Sequence, residues 1–396
     1  MSEALAGFQP SRRTGEETVL REDALGRAPA SPVVSGAELP GFARSTVDGY
    51  AVRAADTYGA GDGLPAYLDV IGQVRMGSVS DLSLRPGAAL QIPTGAAIPG
   101  GADAVVMVEY TQATMPGTVE VTRPVAVGDG MVRADEDVAE GAVLAPEGRA
   151  LRAQDLGLLA AAGVTDLEVR ARPLVAIVST GDEVVAPDTR DLAPGQVRDA
   201  TASALAGLIT RAGGEPDYRG IVPDDLEALT KTLAEAVSEA DLVVVSAGSS
   251  VGARDETTAA VEALGDAKIF CHGLAIKPGK PTLLAEAAGV PVIGLPGNPL
   301  SALVVFRMIG LPVLRLVGGI GSPPEPTVPA TLSRSLASAA GRLDVVQVQL
   351  RDGVATPLFG HSALLSLLTS ADGYVVVPEP ATGLDAGAAV TVVLYA

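Results

Sequence analysis

Aromatic side chains are scarce in this chain: they make up 3% of 396 residues, and tryptophan is absent. A platform for stacking nucleic-acid bases is therefore not evident, and the cores must be packed mainly from Ala, Val and Leu within an apolar fraction of 47%. Cysteine occurs once, as Cys271, which excludes an intrachain disulfide and a thiolate metal cage. Its place after Lys268-Ile-Phe270 predicts a buried strand position. Basic charge is in deficit as well, with 28 Lys and Arg against 47 acids and a formal net charge of −19. Neither nucleic acid nor an anionic membrane is expected as a partner. No stretch approaches the ~18 uninterrupted apolar residues that would suggest a spanning helix. The amino-terminal region carries Glu16, Glu17, Glu22 and Asp23 and no apolar segment of a signal peptide. A cytoplasmic location is expected.

What the chain does have is glycine-rich loops. Ser179-Thr-Gly-Asp-Glu183 and Ser246-Ala-Gly-Ser-Ser-Val-Gly252 follow the apolar runs Leu174–Val178 and Leu242–Val245, and Leu295-Pro-Gly-Asn-Pro299 follows Val290–Gly294 and opens a helix. Lys277-Pro-Gly-Lys-Pro281 lies between them. Loops after buried parallel strands gather at the carboxyl edge of a sheet, where open α/β folds bind ligands. Glycine lets backbone N–H groups approach an oxyanion, and the two lysines supply charge where the global field repels anions. None of these loops is a Walker A or G-x-G-x-x-G sequence, so those nucleotide-binding devices are not supported. As simple turns they would need no ligand, but lysines spaced by Pro278-Gly279 repel one another unless an anion lies between them. Arg198 and Arg254 lie near the same edge. So do Asp182, Glu183, Asp199, Asp224 and Asp255, which serve either as caps and turns or as a site for a hard cation bridging phosphate oxygens. His361 stands beside Ser362, but no serine sits in a G-x-S-x-G elbow, so Ser/His hydrolysis is not expected.

At ~100 to 200 residues per domain the length fits two to four domains. From Tyr67 to about Thr122, short apolar stretches alternate with Gly and Pro turns, a small β-rich domain. Leu174 to Leu316 alternates strands with helices, near Thr201–Ala212 and Asp224–Ala240, and predicts a parallel sheet. Gly318–Pro326 reads as a linker. Beyond it, strands near Val345–Leu350, Tyr374–Val377 and Ala389–Leu394 and a helix near Ala363–Ser370 form a carboxyl-terminal β domain.

Six phrases in order carry a resemblance: Ser45-Thr-Val-Asp-Gly-Tyr-Ala51, Pro93-Thr-Gly-Ala96 with Gly101-Ala-Asp-Ala-Val-Val106, Ser179-Thr-Gly-Asp-Glu183, Ser250-Val-Gly-Ala-Arg-Asp255, Lys277-Pro-Gly-Lys-Pro281 and Gly294-Leu-Pro-Gly-Asn-Pro299. Together they resemble the MoeA family of molybdopterin molybdotransferases, related to the carboxyl-terminal region of gephyrin. The resemblance implies a multidomain α/β and β chain: a discontinuous mixed domain I (1–42 and 138–171), a β-rich domain II (43–137), a central α/β molybdopterin-binding domain III (172–319) and a C-terminal β domain IV (320–396). It implies insertion of molybdate into adenylylated molybdopterin with release of AMP and a need for Mg²⁺. It also implies a homodimer with a cleft shared between subunits, and contact with other cofactor-assembly enzymes is conceivable.

Carried over by motif, the catalytic residues implied are Asp48, Thr94, Asp137, Glu183, Asp224 and Asp255, of which Glu183, Asp224 and Asp255 would meet the metal. Binding of the pterin substrate falls to Ser179, Gly181, Gly248, Ser250, Gly252, Lys277, Gly279, Lys280, Pro296, Gly297 and Asn298. Arg342, in a G-R-L-D segment, with Ser362 or Ser366, is assigned to the oxyanion region. The chain departs from the family pattern at Ala247, Ser249, Thr201, Gly273 and Arg44, changes that could retune the site toward tungstate. A neighbouring activity, adenylylation of molybdopterin, and a non-catalytic carrier or scaffold are the competing readings.

Overall fold

Four strands of the central sheet run parallel and bring their carboxyl ends to one edge; the inner three, Leu174–Thr180, Leu242–Ser246 and Val290–Leu295, are apolar on both faces and covered by helices, and Glu215–Val222 is a polar edge strand. The structure, a computed structural model, describes residues 8, 11–246, 251–321 and 324–395, and only the backbone course of 251–255. The sheet is built from β1 (Leu174–Thr180), β2 (Glu215–Val222), β3 (Leu242–Ser246), β4 (Lys268–His272), β6 (Leu283–Ala287) and β7 (Val290–Leu295). A two-residue strand, β5 (Ile276–Lys277), lies outside it. The spatial order is β2-β1-β3-β7-β6-β4. Val175 and Ile177 of β1 pack with α1 (Ala200–Arg211) and the helix after β7, while Ala176 and Val178 pack on the other face with α2 (Leu226–Glu239) and with Ala260 and Val261 of α3 (Val251–Glu262).

The expected parallel sheet is present as four strands, and two further strands make the whole sheet mixed. β6 pairs antiparallel with β7 and β4 antiparallel with β6. The reversal is made by Ala288-Gly289, both at positive φ (49° and 78°), as a tight two-residue hairpin requires. Cys271, expected to be buried, is partly exposed on edge strand β4, where its thiol donates to the Gly273 carbonyl at 3.0 Å.

The helix that follows β7, α4 (Pro299–Val317), is apolar enough by length and composition to cross a membrane, but 67% of it is buried inside the protein and it forms the centre of the largest core. A π turn at Phe306–Gly310 interrupts it, with the Leu311 N–H bonded to the Phe306 carbonyl. Pro312 explains the turn, since it has no N–H for the carbonyl four residues back and its ring would crowd that group.

Around this unit, Glu16–Leu20 pairs antiparallel with Asp166–Arg170 and Val33–Val34 with Val143–Ala145, closing a small core of Ala24, Leu144, Leu151, Leu159 and Val169. Between these segments lies a six-stranded sheet in the order Ala104–Met107, Gly49–Val52, Ala88–Ile92, Ala66–Gln73, Thr118–Val121 and Thr111–Met115. Gly49 runs so close to the neighbouring strand that a Cβ there would lie 1.9 Å from the Val106 carbonyl oxygen. Beyond α4, a barrel of five strands closes when Leu343–Arg351 (β8) pairs with Gly373–Val377. The short β5 is hydrogen-bonded in parallel to the start of β8, so the central unit contributes an edge to the carboxyl-terminal sheet.

Candidate active site

Two motifs of the central unit and two segments of the carboxyl-terminal barrel enclose a cleft of about 860 Å³. One wall is the lysine loop after β5 and the Pro296-Gly-Asn298 turn after β7; the other is the start of β8 and the segment Phe359-Gly-His-Ser362. The lysine loop is held by its own backbone. Leu274 N–H donates to the Lys280 carbonyl at 2.8 Å, and buried Thr282 Oγ1 donates to the Gly279 carbonyl at 2.7 Å. Gly279 sits at φ 123°, with space for a Cβ closed off by Val305 Cγ2 at 2.4 Å, so only glycine fits. The walls are joined at Asn298, whose Nδ2 donates to Ser362 Oγ at 3.0 Å, and at Leu300, whose N–H donates to the Ser362 carbonyl at 3.2 Å.

Charge in the cleft is arranged around one buried acid. Asp344, 3% exposed, accepts from Arg342 Nε at 2.8 Å and from a terminal nitrogen of the same guanidinium at 3.3 Å, and Lys277 Nζ lies 4.0 Å away. With Lys280, three cations face one carboxylate, so the lysine, arginine and aspartate side chains of the lining sum to two net positive charges. That is the balance a dianionic tetrahedral oxyanion needs. Gln347, also 3% exposed, lies on the cleft floor; its Oε1 accepts from the Tyr395 hydroxyl and its buried Nε2 has no partner.

A second polar cluster lies at the carboxyl ends of β1 and β2. Ser179 Oγ donates to Asp199 Oδ2 at 2.6 Å, and the Tyr218 hydroxyl donates to the same oxygen at 2.8 Å. Asp199 Oδ1 caps α1 by accepting from Ala202 N–H at 3.0 Å. Desolvation, with Asp199 alongside, pushes the Tyr218 pKa up to about 12. Nearby, Asp224 N–H donates to Asp182 Oδ1 at 3.2 Å while Asp224 Oδ1 is buried without a donor. Desolvation and the charges of Asp182 and Glu183 raise the Asp224 pKa. A carboxylate with an orphaned oxygen beside two further acids fits a hard cation that keeps most of its waters. Among the described residues, no three carboxylate, imidazole or thiol groups converge as a complete metal cage.

On the β-rich sheet, Thr94 N–H and Oγ1 both donate to Asp48 Oδ1, at 2.7 and 2.9 Å, and these bonds lower the Asp48 pKa. The side chains are exposed on the loops before and after the strands that carry them.

The structure thus gathers Lys277, Gly279, Lys280, Pro296, Gly297, Asn298, Arg342 and Ser362 in one cleft. Ser179, Gly181, Glu183 and Asp224 lie at the strand ends of the same sheet edge but outside that lining. Ser366 begins a short helix, Ser366–Ser370, where it is exposed, and Leu367 rather than Ser366 reaches the cleft. Asp48, Thr94 and Asp137 are exposed on a different part of the chain, Asp137 with its N–H bonded to the Leu39 carbonyl at 3.0 Å. Gly248, Ser250, Ala247 and Ser249 lie outside the described residues, as do the side chains at Gly252, Arg254 and Asp255. Sequence reasoning overlooked Asp344, Gln347 and Phe359. For Asp344 a signal was there, an acid two residues from Arg342 at the start of an apolar strand.

Three family models match the chain: "MoeA N-terminal region (domain I and II)" over residues 1–163, "Probable molybdopterin binding domain" over 176–316 and "MoeA C-terminal region (domain IV)" over 329–395. Molybdopterin molybdenumtransferase 2 of Mycobacterium tuberculosis is 35% identical over 377 residues, covering 93% of each chain. Molybdopterin molybdenumtransferase of Bacillus subtilis is 32% identical over 396 residues, covering 98% of this chain and 91% of its own. A crystal structure of the molybdopterin biosynthesis moeA protein from Pyrococcus horikoshii OT3 superimposes with a TM-score of 0.87 at 31% identity, covering 100% of this chain and 99% of that one.

Proposed function

The chain belongs to the MoeA family and to molybdenum cofactor biosynthesis as a transferase, and from that premise we propose that it inserts molybdate into adenylylated molybdopterin, with cleavage of the phosphoanhydride and release of AMP. The observation that carries this reading is the cleft with two net positive charges between the lysine loop and β8. Molybdate, a tetrahedral dianion, matches it in charge. In this reading Lys277 and Lys280 attract the oxyanion, and Arg342 presents the N–H groups that Asp344 leaves free. Gln347 Nε2 is a further donor at the floor. Ser362, fixed by Asn298, closes the wall.

The acids at the ends of β1 and β2 take a different part. Asp224 and Glu183 would hold Mg²⁺, with Asp255 as a further ligand, and the ion would neutralise charge on the phosphoanhydride as it breaks. The Ser179-Asp199-Tyr218 hydrogen bonds keep this edge rigid. The pterin phosphate would lie along the glycine turns at Gly181 and Gly297, where backbone N–H groups can reach it, with Gly248, Ser250 and Gly252 of the same motif set as further contacts.

We read the chain as four domains with the boundaries given above, acting in the cytoplasm as a homodimer in which Asp48, Thr94 and Asp137 complete the cleft of the partner subunit. Asp48 is ionised at neutral pH and fixed by two Thr94 bonds, a group suited to contacting a cation or a pterin N–H. The test is AMP release from adenylylated molybdopterin with Mg²⁺ and either molybdate or tungstate. Oxyanion-dependent release supports the transferase and names the metal it prefers. Tight binding of the nucleotide without release in both cases would instead make the protein a carrier.

A further inference from the structure

Near the carboxyl ends of α1 and α4, three arginines line a second and smaller pocket. Arg211 of α1 and Arg307 and Arg315 of α4 surround about 210 Å³, with Leu311, Pro324 and Glu325 completing the wall. In a chain with a net charge of −19, three cations around one small volume need an explanation.

Internal partners do not supply it. Glu325 is the single acid in the lining; it lies 3.4 Å from Arg307 and its other oxygen accepts from the Tyr374 hydroxyl at 2.9 Å. Arg307 also donates to the Leu394 carbonyl at 2.8 Å and stacks over the Tyr395 ring, 4.9 Å from its centroid, yet its buried Nε has no hydrogen-bond partner among the described residues. Arg211 and Arg315 have neither a carboxylate nor a hydrogen-bond acceptor among the described residues. Nor are they needed as caps. The last carbonyls of α1 are bonded by Ala212, Gly213 and Gly214, and those of α4 by Gly318, Gly319 and Ile320. Both helices end here, and each end contributes roughly half a negative charge. Setting those two halves and Glu325 against three arginines still leaves about one positive charge. Two planar guanidiniums without partners among the described residues, a third with an unpartnered Nε–H, and a small volume describe a receptor for a compact oxyanion.

We propose that this pocket is a second oxyanion site, distinct from the cleft, that takes a single tetrahedral anion of phosphate size. Its position gives it a consequence. Glu325 and its neighbouring prolines belong to the segment that connects α4 to the first barrel strand, Thr327–Leu332. An anion held there ties both helices of the central unit to that connection, so occupancy fixes how the barrel is carried.

The experiment is isothermal titration of the full-length protein with inorganic phosphate and, in a parallel arm, with molybdate, in a Lys277→Ala/Lys280→Ala background that disables the cleft. The expected result is one saturable anion in that background, weakened about tenfold or more when Arg211→Gln/Arg315→Gln is added, the loss of charge-assisted bonds. Phosphate binding alone, molybdate binding alone or both would identify the anion. Substitution of these surface arginines is expected to leave the fold intact, checked by circular dichroism. Should the quadruple variant not fold, Arg211→Gln/Arg315→Gln with intact lysines must lose one of two bound anions. Binding abolished by the lysine substitutions alone, or unmoved by the arginine substitutions, overturns the proposal.

Discussion

Replacing Asp224 by Asn should make the protein more stable and less active at the same time. The carboxylate is partly desolvated, has one oxygen without a donor, and faces Asp182 and Glu183. Two like charges ~6 Å apart repel by roughly 0.7 to 3 kcal/mol between effective dielectrics of ~80 and ~20. Because Asp224 is half-buried rather than fully enclosed, screening holds the effect to the lower part of that range, about 0.5 to 1 kcal/mol of stabilisation for the neutral amide. The sign with pH follows from linkage. Burial and like charge raise the folded-state pKa above its ordinary value near 3.8, so the ionised form destabilises the fold at neutral pH. That penalty fades as pH falls through the raised value. The variant should therefore exceed the parent protein in urea stability at pH 7, and the gap should narrow as the pH is lowered through the raised carboxylate pKa. Mg²⁺ should reverse the order, since a site filled to ten times its Kd stabilises the parent by about 1.4 kcal/mol and the variant by less. AMP release should fall at least about tenfold. A variant equal to or weaker than the parent at pH 7, or a gap that does not change with pH, would refute the account of this cluster.

Arg342→Ala should raise the KM for the oxyanion about 10- to 100-fold by removing charge-assisted bonds, and Arg342→Lys should recover only part, because a lysine cannot chelate Asp344 and the anion together; steady-state kinetics against molybdate decides this. Gly279→Ala should destabilise the lysine loop by about 1 to 3 kcal/mol, since a Cβ would meet Val305 at 2.4 Å, measured by thermal unfolding. Tyr218→Phe should cost about 1 kcal/mol by taking one donor from buried Asp199, with AMP release reduced less than by Asp199→Ala. Mixing Asp48→Ala with Lys277→Ala subunits should restore a fraction of activity if the cleft is shared between chains, and no recovery would refute the shared arrangement.

The central unit was legible in the sequence because its signals are local: short apolar runs, each followed by a glycine turn, give strands and the edge they share. The P-G-N-P and K-P-G-K phrases could be placed on one edge for the same reason. The antiparallel half of the sheet was not legible, because its turn is Ala288-Gly289 rather than an Asn-Gly or Asp-Gly pair, and a positive φ at alanine leaves no mark in composition. Asp344 and Gln347 were hidden by alternation. On β8 they occupy positions where a strand pattern expects an apolar side chain, and only the surrounding partners reveal them. The Asp48–Thr94 bonds join residues far apart in the chain, and the arginine pocket draws its members from two helices and a connection. Such constellations depend on packing, which periodicity does not encode.

The two hydrogen-bonded positions between β5 and the start of β8 make Lys277 a mechanical member of the barrel, although its sequence belongs to the central unit. A rotation of the barrel that widens the cleft must therefore either carry Lys277 along with Arg342 and Asp344 or break that pairing, and in both cases it must part the Asn298–Ser362 hydrogen bond that ties the Pro296-Gly-Asn298 turn to the opposite wall.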